Sequence, residues 1–304
     1  MNKKKIFIYA IFQISFFVLI LNLFYFNKFD LSIVNNVSLK DSAIIFVLLI
    51  SLKISLALLF FFILSIIVKK KFRIVEVLNI FLQGGLVSVG IPGLGLVYKY
   101  QKFANDLDIS LAEYSSTQTL SSFFSILGYF FLAIFFGFLS ITYKYNLYIF
   151  FFLILILLLI LLFKIRSKIL YFTKLNKLYN ELSTIKKTFI QNYQKFIIIF
   201  IGFLLVSLLQ CYAFFKTVLL FSFDLSFINT SYLYISSTII TLLSIVNFIG
   251  FFELVLSLSA SLIMYNYINI IIVGFCFRLL NISSLITASI SIFLINQFKK
   301  INQF

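Results

Sequence analysis

Residues 83–102 read QGGLVSVGIPGLGLVYKYQK, and the rest of the chain is organised around them. Gly84, Gly85, Gly90, Gly93 and Gly95 are half of the ten glycines, and Pro92 is the only proline. The flanking sequence is as apolar as a membrane helix. Hydrocarbon offers no water to unpaired N–H and C=O groups, so a segment broken at membrane depth must be covered by protein or face a wet cavity. Backbone chemistry alone makes this stretch a candidate site.

Outward from it, the composition fixes the class. Hydrophobic residues are 62% of 304, charged residues 11%, and mean hydropathy is +1.13, too apolar for a soluble domain and expected of a polytopic helical membrane protein. No polar stretch is long enough to build a soluble domain, so residues 1–304 are read as a single integral membrane domain. The chain has no His, which excludes His-based acid–base catalysis and His metal sites. Cys211 and Cys276 lie inside apolar segments and suggest neither a disulfide framework nor a zinc site. A formal charge of +16 fits a cytoplasmic face against anionic lipid rather than nucleic acid, because the cations flank apolar segments. No G-x-x-x-x-G-K-[ST] loop is present, which argues against direct ATP coupling. No cofactor and no metal is expected.

Residues 6–26 follow Lys3, Lys4 and Lys5 and would extend roughly 31 Å as a helix, enough for a hydrocarbon core of about 30 Å. Without a small-residue cleavage site they are read as a retained first helix. A loop with Lys28, Asp30, Lys40 and Asp41 leads to a span at 43–68, and Lys69, Lys70, Lys71 and Arg73 then mark the cytoplasmic side. Glu76, Asn79 and Gln83 form a polar stripe on the next helix, which runs into the breaker cluster. A single crossing would leave Lys99 and Lys102 outside. A re-entrant hairpin over 74–102 returns them to the basic side and is preferred.

Asp106 and Asp108 would suit a metal-binding DxD pair, but a helix start explains them better. Ser110 and Glu113 make an S-x-x-E capping box, and acids gather at the positive end of the helix they precede. That helix carries Ser115, Gln118, Ser122 and Ser125 on one face and runs to about position 141, where a short outer turn with Lys144 leads to an inward span at 147–163. Residues 164–195 hold Lys164, Arg166, Lys168, Lys174, Lys177, Lys186, Lys187 and Lys195 against Glu181, a basic cytoplasmic connector lying partly on the membrane surface. A span at 196–221 and a loop with Asp224 follow. Residues 232–264 are apolar but rich in hydroxyls (Ser237, Thr241, Ser244, Ser257, Ser261) and contain Asn247, Gly250 and Glu253. They are read as a second broken hairpin, entered from the outside. The last helix, 270–295, carries Arg278, Asn281, Ser284 and Ser291 and ends at Lys299 and Lys300.

The expected fold is therefore all-α, with about six full spans and two broken or re-entrant hairpins, some eight membrane segments in halves 5–163 and 196–300. Broken elements entered from opposite faces suit an inverted repeat. Of 25 Lys and Arg, only Lys28, Lys40 and Lys144 fall outside and only Lys53, Lys216 and Arg278 within spans. That bias puts both termini in the cytoplasm of a multi-pass cell-membrane protein.

Charges inside spans are functional hypotheses by default. Lys53 and Lys216 lie roughly 24 and 31 Å along their helices from the inner lysines, within snorkelling reach of the outer interface. Arg278 lies roughly 27 Å from Asn296. Flanked by apolar residues it needs a partner, and Glu253 is expected to pair with it in a polar cavity.

At IPGLGLVYKYQKF with the S-x-x-E helix start after it, and again at NFIGFFE with Arg278 in the following helix, the chain resembles the transmembrane region of lysylphosphatidylglycerol synthases. It is equally similar to the wider family of stand-alone flippase-like membrane proteins. The resemblance covers nearly the whole chain. Pro92, Gly93, Gly95, Tyr98, Lys99, Gly250, Glu253 and Arg278 match or approximate that family's Pro-Gly break closing on a Tyr-Arg pair, its Gly-Gly-x-Gly-x-x-Glu segment, and the Arg of its next helix. Lys99 stands where Arg is usual, the second glycine cluster is reduced to Gly250, and a Glu-Arg pair common after the first hairpin is missing near Gln118 and Thr119.

The resemblance implies binding or translocation of an anionic phospholipid or polyprenyl-phosphate-linked sugar between leaflets, with no catalytic residues. The synthases' soluble aminoacyl-transferring domain is absent, so lysyl transfer is not expected. Free N–H groups at broken helix ends attract phosphate. Lys99 and Lys102 would do so on the inner side, and Arg278 with Lys53 and Lys216 on the outer, with Asn281 on the same polar face as Arg278. Two other classes stay open. A membrane glycosyltransferase would need a carboxylate-bearing face, and the outer acids Asp30, Asp41 and Asp224 lie on short loops. A non-transporting partner of another membrane protein would need no chemistry at all.

Overall fold

The computed structural model describes residues 37–68, 70–90, 93–139, 188, 190–243, 252–253, 255–256 and 267–301. Among these residues there are seven helices and no strand: α1 (Leu39–Val68), α2 (Ile74–Gly90), α3 (Leu94–Leu107), α4 (Leu111–Leu139), α5 (Tyr193–Leu220), α6 (Phe227–Leu243) and α7 (Tyr267–Ile301). Four of them, α1, α4, α5 and α7, are long and apolar enough to cross a membrane. They coincide within a few residues with the spans expected at 43–68, 110–141, 196–221 and 270–295. The expected spans at 6–26 and 147–163 and most of the connector at 164–195 lie outside the described residues, so four spans are shown where six were expected.

The faces of α5 say what solvent surrounds them. Ile198, Ile201, Leu205, Leu209 and Tyr212 recur every three or four residues and are exposed, whereas Phe196, Ile199, Phe203, Val206 and Phe214 are buried. In water so long an exposed apolar stripe would associate or aggregate. A helix that is apolar on its bare face as well as its packed one belongs in lipid. The chain is a helical membrane protein.

Charge collects at the two ends of the bundle. Where α1 ends, α2 begins, α3 ends and α4 begins, Lys70 pairs with Asp108 at 2.9 Å, Lys102 with Asp106 at 3.6 Å and Arg73 with Glu76 at 3.9 Å. At the opposite end, Asp41 of α1 and Lys216 of α5 border one surface cavity. The 30 residues of α1 between these ends correspond to about 45 Å, the thickness of a bilayer with its headgroups.

Local chemistry sets the helix starts. The Asp41 N–H donates to Ser38 Oγ at 3.4 Å, so Ser38 caps α1 and the helix begins several residues before the apolar run. At α4, the Ser110 N–H donates to Glu113 Oε2 at 2.9 Å and the Glu113 N–H donates to Ser110 Oγ at 3.3 Å. That reciprocal pair is the capping box. Asp108 takes the left-handed conformation (φ 52°) that closes α3, and the Ile109 N–H reaches back to the Phe103 carbonyl at 3.2 Å, as in a Schellman turn. Asp106, in the last turn of α3, and Asp108, which follows it, are thus held by Lys102 and Lys70 respectively, and do not converge as a DxD metal pair.

Helix α1 is the hub, packed against α2, α4, α5 and α7. Phe60 of α1 sits 5.0 Å from the Phe81 ring of α2 and 5.7 Å from the Phe103 ring of α3, fastening the broken element to the bundle. A larger core, including Leu49, Leu132, Phe214, Ile235 and Val273, joins α1 to α4, α5, α6 and α7.

Candidate functional site

The breaker cluster folds α2 and α3 back on each other. Gly84 faces both Gly95 and Lys99, the Tyr98 hydroxyl donates to Gln83 Oε1 at 2.7 Å, and Lys70 just before α2 meets Asp108 just after α3. Rising numbers on one helix therefore meet falling numbers on the other. The approach is close enough to require glycine: a Cβ on Gly95 would lie 2.1 Å from the Gly84 carbonyl oxygen and 1.8 Å from Ser88 Oγ. Gly93 turns the chain with φ 85°, a conformation that costs other residues. The expected stripe does part of its work here, since Gln83 Nε2 also donates to Asn79 Oδ1 at 3.1 Å.

Lys99 lies inside this hairpin and is 8% exposed. Its stem lies along Gly84 and its ammonium sits 4.0 Å from the centre of the Phe81 ring, a cation–π contact. Lys102 projects from the surface and pairs with Asp106. Neither lines the cavity described next, so both expected phosphate attractors of the inner side are engaged elsewhere.

That cavity, of about 340 Å³, lies where α1, α4, α5, α6 and α7 meet the last turn of α2 through Val89. Arg278 of α7 lines it, with Nη1 3.1 Å from Glu253 Oε2 and 3.4 Å from Oε1. Glu253 is 1% exposed and would be costly to bury without this pair. The approach depends on Gly274, one turn before Arg278, where a Cβ would lie 2.9 Å from Leu256 Cδ2 and 3.5 Å from Glu253 Cγ. Asn281, one turn after Arg278, completes that wall.

Lys53 of α1 lines the same cavity. The cap at Ser38 puts it at the middle of α1, about 21 Å from either end, so it is not placed to snorkel. Tyr129 of α4 donates its hydroxyl to Gln210 Oε1 of α5, and both face the cavity with Tyr234, Thr238 and Thr241 of α6. Gln210 keeps its N–H donors and a second lone pair on the oxygen for a ligand. Among the described residues the cavity region holds two cations, Lys53 and Arg278, and one carboxylate, Glu253.

Tyr129 and Gln210 were missed in sequence, although Gln210 is the only amide between positions 195 and 220 and a lone amide in a span is a signal. Of the expected polar stripe of α4, Ser115, Gln118 and Ser125 are half-buried and Ser122 is exposed, and none of the four lines the cavity; Ser116, Thr117 and Ser121 are the buried hydroxyls of this helix. On α7, Ser284 is fully buried and Ser291 exposed. Pro92 and Gly250 lie outside the described residues, as does most of the expected hairpin at 232–264 beyond α6.

Outside the bilayer's interior, the Lys70 hydrogen bond and charge hold the Asp108 carboxyl below its usual range, and Asp108 in turn raises Lys70. No family model, no curated protein and no solved structure matches this chain.

Proposed function

We propose that this chain is a flippase-like membrane protein that binds an anionic lipid, or a lipid-linked sugar, and carries its headgroup between leaflets without covalent chemistry. One observation carries the proposal: a headgroup-sized cavity among membrane-spanning helices, lined by Lys53, Arg278, Asn281, Gln210 and hydroxyls, with Glu253 as the carboxylate that pairs with Arg278. Polar and charged groups at that depth are costly, and such groups characteristically mark substrate pathways. A pocket of this size holds a phosphate with a small polar substituent while acyl or prenyl chains stay in lipid.

The fold proposed with this function is a six-span bundle with α2 and α3 as a re-entrant hairpin and a second broken element around Gly250 and Glu253, arranged as an inverted repeat. Both termini then face the cytoplasm at the cell membrane. The pairing of Lys70 with Asp108 supports the hairpin, because it returns α3 to the end of the bundle from which α2 started. The residue pattern shared with the lysylphosphatidylglycerol synthase membrane region points the same way.

The decisive experiment is leaflet exchange in proteoliposomes with labelled phosphatidylglycerol, phosphatidylcholine and a polyprenyl-phosphate sugar. Acceleration of an anionic species over protein-free vesicles is the expected result. No acceleration for any anionic lipid would sink the proposal.

A further inference from the structure

A separate cavity of about 460 Å³ lies between the start of α1 and the end of α5, at the end of the bundle away from Lys70 and Asp108, and shares no residue with the one that Arg278 lines. Asp41 and Lys216 both border it and form no ion pair with each other. The Lys216 ammonium lies 5.5 Å from the centre of the Tyr212 ring instead, and Asp41 is exposed in the first turn of α1. Two opposite charges that share a cavity without meeting leave room for a ligand that carries both.

The two charges stand at different depths. Helices α1 and α5 run antiparallel, since Leu59 abuts Gly202 while Ile45 shares the cavity with Lys216 and Leu220. Lys216, 14 residues on from Gly202, is therefore level with Ile45, 14 residues back from Leu59. Asp41 lies one turn nearer the water, about 6 Å farther out. Side chains lean toward the N-terminus of their helix, which carries the Asp41 carboxylate outward and the Lys216 ammonium inward to Tyr212.

We infer that this cavity binds the headgroup of a zwitterionic phospholipid with a primary amine, of the phosphatidylethanolamine class, with the phosphate at Lys216 and the ammonium at Asp41. The order of charges matches, because the phosphate of such a lipid is joined to the glycerol and the amine hangs outward from it on a short arm. Ile44 and Leu219 border the cavity while 56% and 42% exposed, an apolar wall for acyl chains that a soluble phosphoester would not need. A primary ammonium has N–H groups to donate to the carboxylate. A choline headgroup has none, and a glycerol headgroup brings no cation to Asp41.

The test uses the full-length chain in detergent, freed of native lipid and titrated with dioleoyl phosphatidylethanolamine, phosphatidylcholine and phosphatidylglycerol, with bound lipid counted by native mass spectrometry. Preferential retention of phosphatidylethanolamine is expected. Asp41→Asn should weaken its binding about tenfold, the value of one charge-assisted hydrogen bond, and leave phosphatidylcholine where it was. That variant keeps the backbone N–H that Ser38 Oγ accepts, and an unchanged melting temperature separates lost binding from lost fold. Lys216→Met should weaken both zwitterionic lipids alike, since they share the phosphate, and Lys216→Arg should stay close to wild type. Glycerophosphoethanolamine, which has no acyl chains, should compete poorly. Equal retention of the three lipids by the wild type, an undiminished preference in Asp41→Asn, or competition by the soluble headgroup as strong as by the lipid each overturns the inference. Binding is read here without transport, so the outcome is independent of the leaflet-exchange result.

Discussion

The α2–α3 hairpin and the Glu253–Arg278 cavity each bury a cation inside a lipid-facing bundle, and each depends on a glycine for close approach. They use the cation in opposite ways. In the hairpin, Lys99 fills the notch at Gly84 and points at the Phe81 ring, so its charge is spent on packing. In the cavity, Gly274 brings Glu253 onto Arg278, and both Arg278 and Lys53 still border about 340 Å³ of open space. A dense run of backbone breakers marks where two helices touch. Space for a ligand arises instead from side chains on helices far apart in sequence.

The strongest test of this contrast is Arg278→Met, which strands the Glu253 carboxylate at a nearly inaccessible position. A loss of about 3–5 kcal/mol is expected, read as a collapse of thermal stability in detergent, with much of it restored when Glu253→Met is added. Stability close to wild type in the single variant would show that the pair does not hold the cavity together. In the hairpin the corresponding failure is steric: Gly95→Leu should cost about 1–3 kcal/mol or more through overpacking against Gly84 and Ser88. Gly93→Ala, with open space around it but a φ of 85°, should cost only about 1 kcal/mol. If the two substitutions melt alike, the close approach of α2 and α3 is not what stabilises the turn.

Smaller effects separate the two lysines. Lys99→Met should leave leaflet exchange of phosphatidylglycerol within about twofold, because no contact with the cavity is lost, while Lys53→Met should slow it by about tenfold. Equal losses would place Lys99 on the headgroup's route after all. The smallest effect belongs to the surface clasp between Lys70 and Asp108, which is fully exposed to solvent screening. Because the carboxyl's folded value is depressed, its contribution is present above the ordinary carboxylate range and disappears as pH falls through the depressed value. Asp108→Asn should flatten that acid-side slope in melting temperature by lowering the neutral-pH value slightly, with the value at low pH unchanged. An undiminished slope would assign it to another acid.

Several features were legible because they depend on short-range chemistry. Ser110 and Glu113 announced the start of α4, and the apolar runs of α1, α4, α5 and α7 announced four spans. Glu253 was an obvious partner for Arg278, since a cation so flanked needs one. Lys53 was misplaced because the apolar run was measured from Ala43, whereas Ser38 starts the helix earlier and moves Lys53 to its centre. That the α4 stripe does not line the cavity was not legible, because a polar stripe does not say which way the helix is turned. Ser116, Thr117 and Ser121 are buried by neighbours that have no sequence relation to them.

By itself, then, the sequence determined the solvent, four of the spans, the start of α4 and the position of the break, because hydropathy, capping and glycine conformation act within a few residues of chain. Tertiary structure decided what each buried charge faces. Helix rotation and close approach set that outcome, and they put Lys99 against the ring of Phe81, 18 positions away, and Lys53 in one cavity with Arg278, 225 positions away.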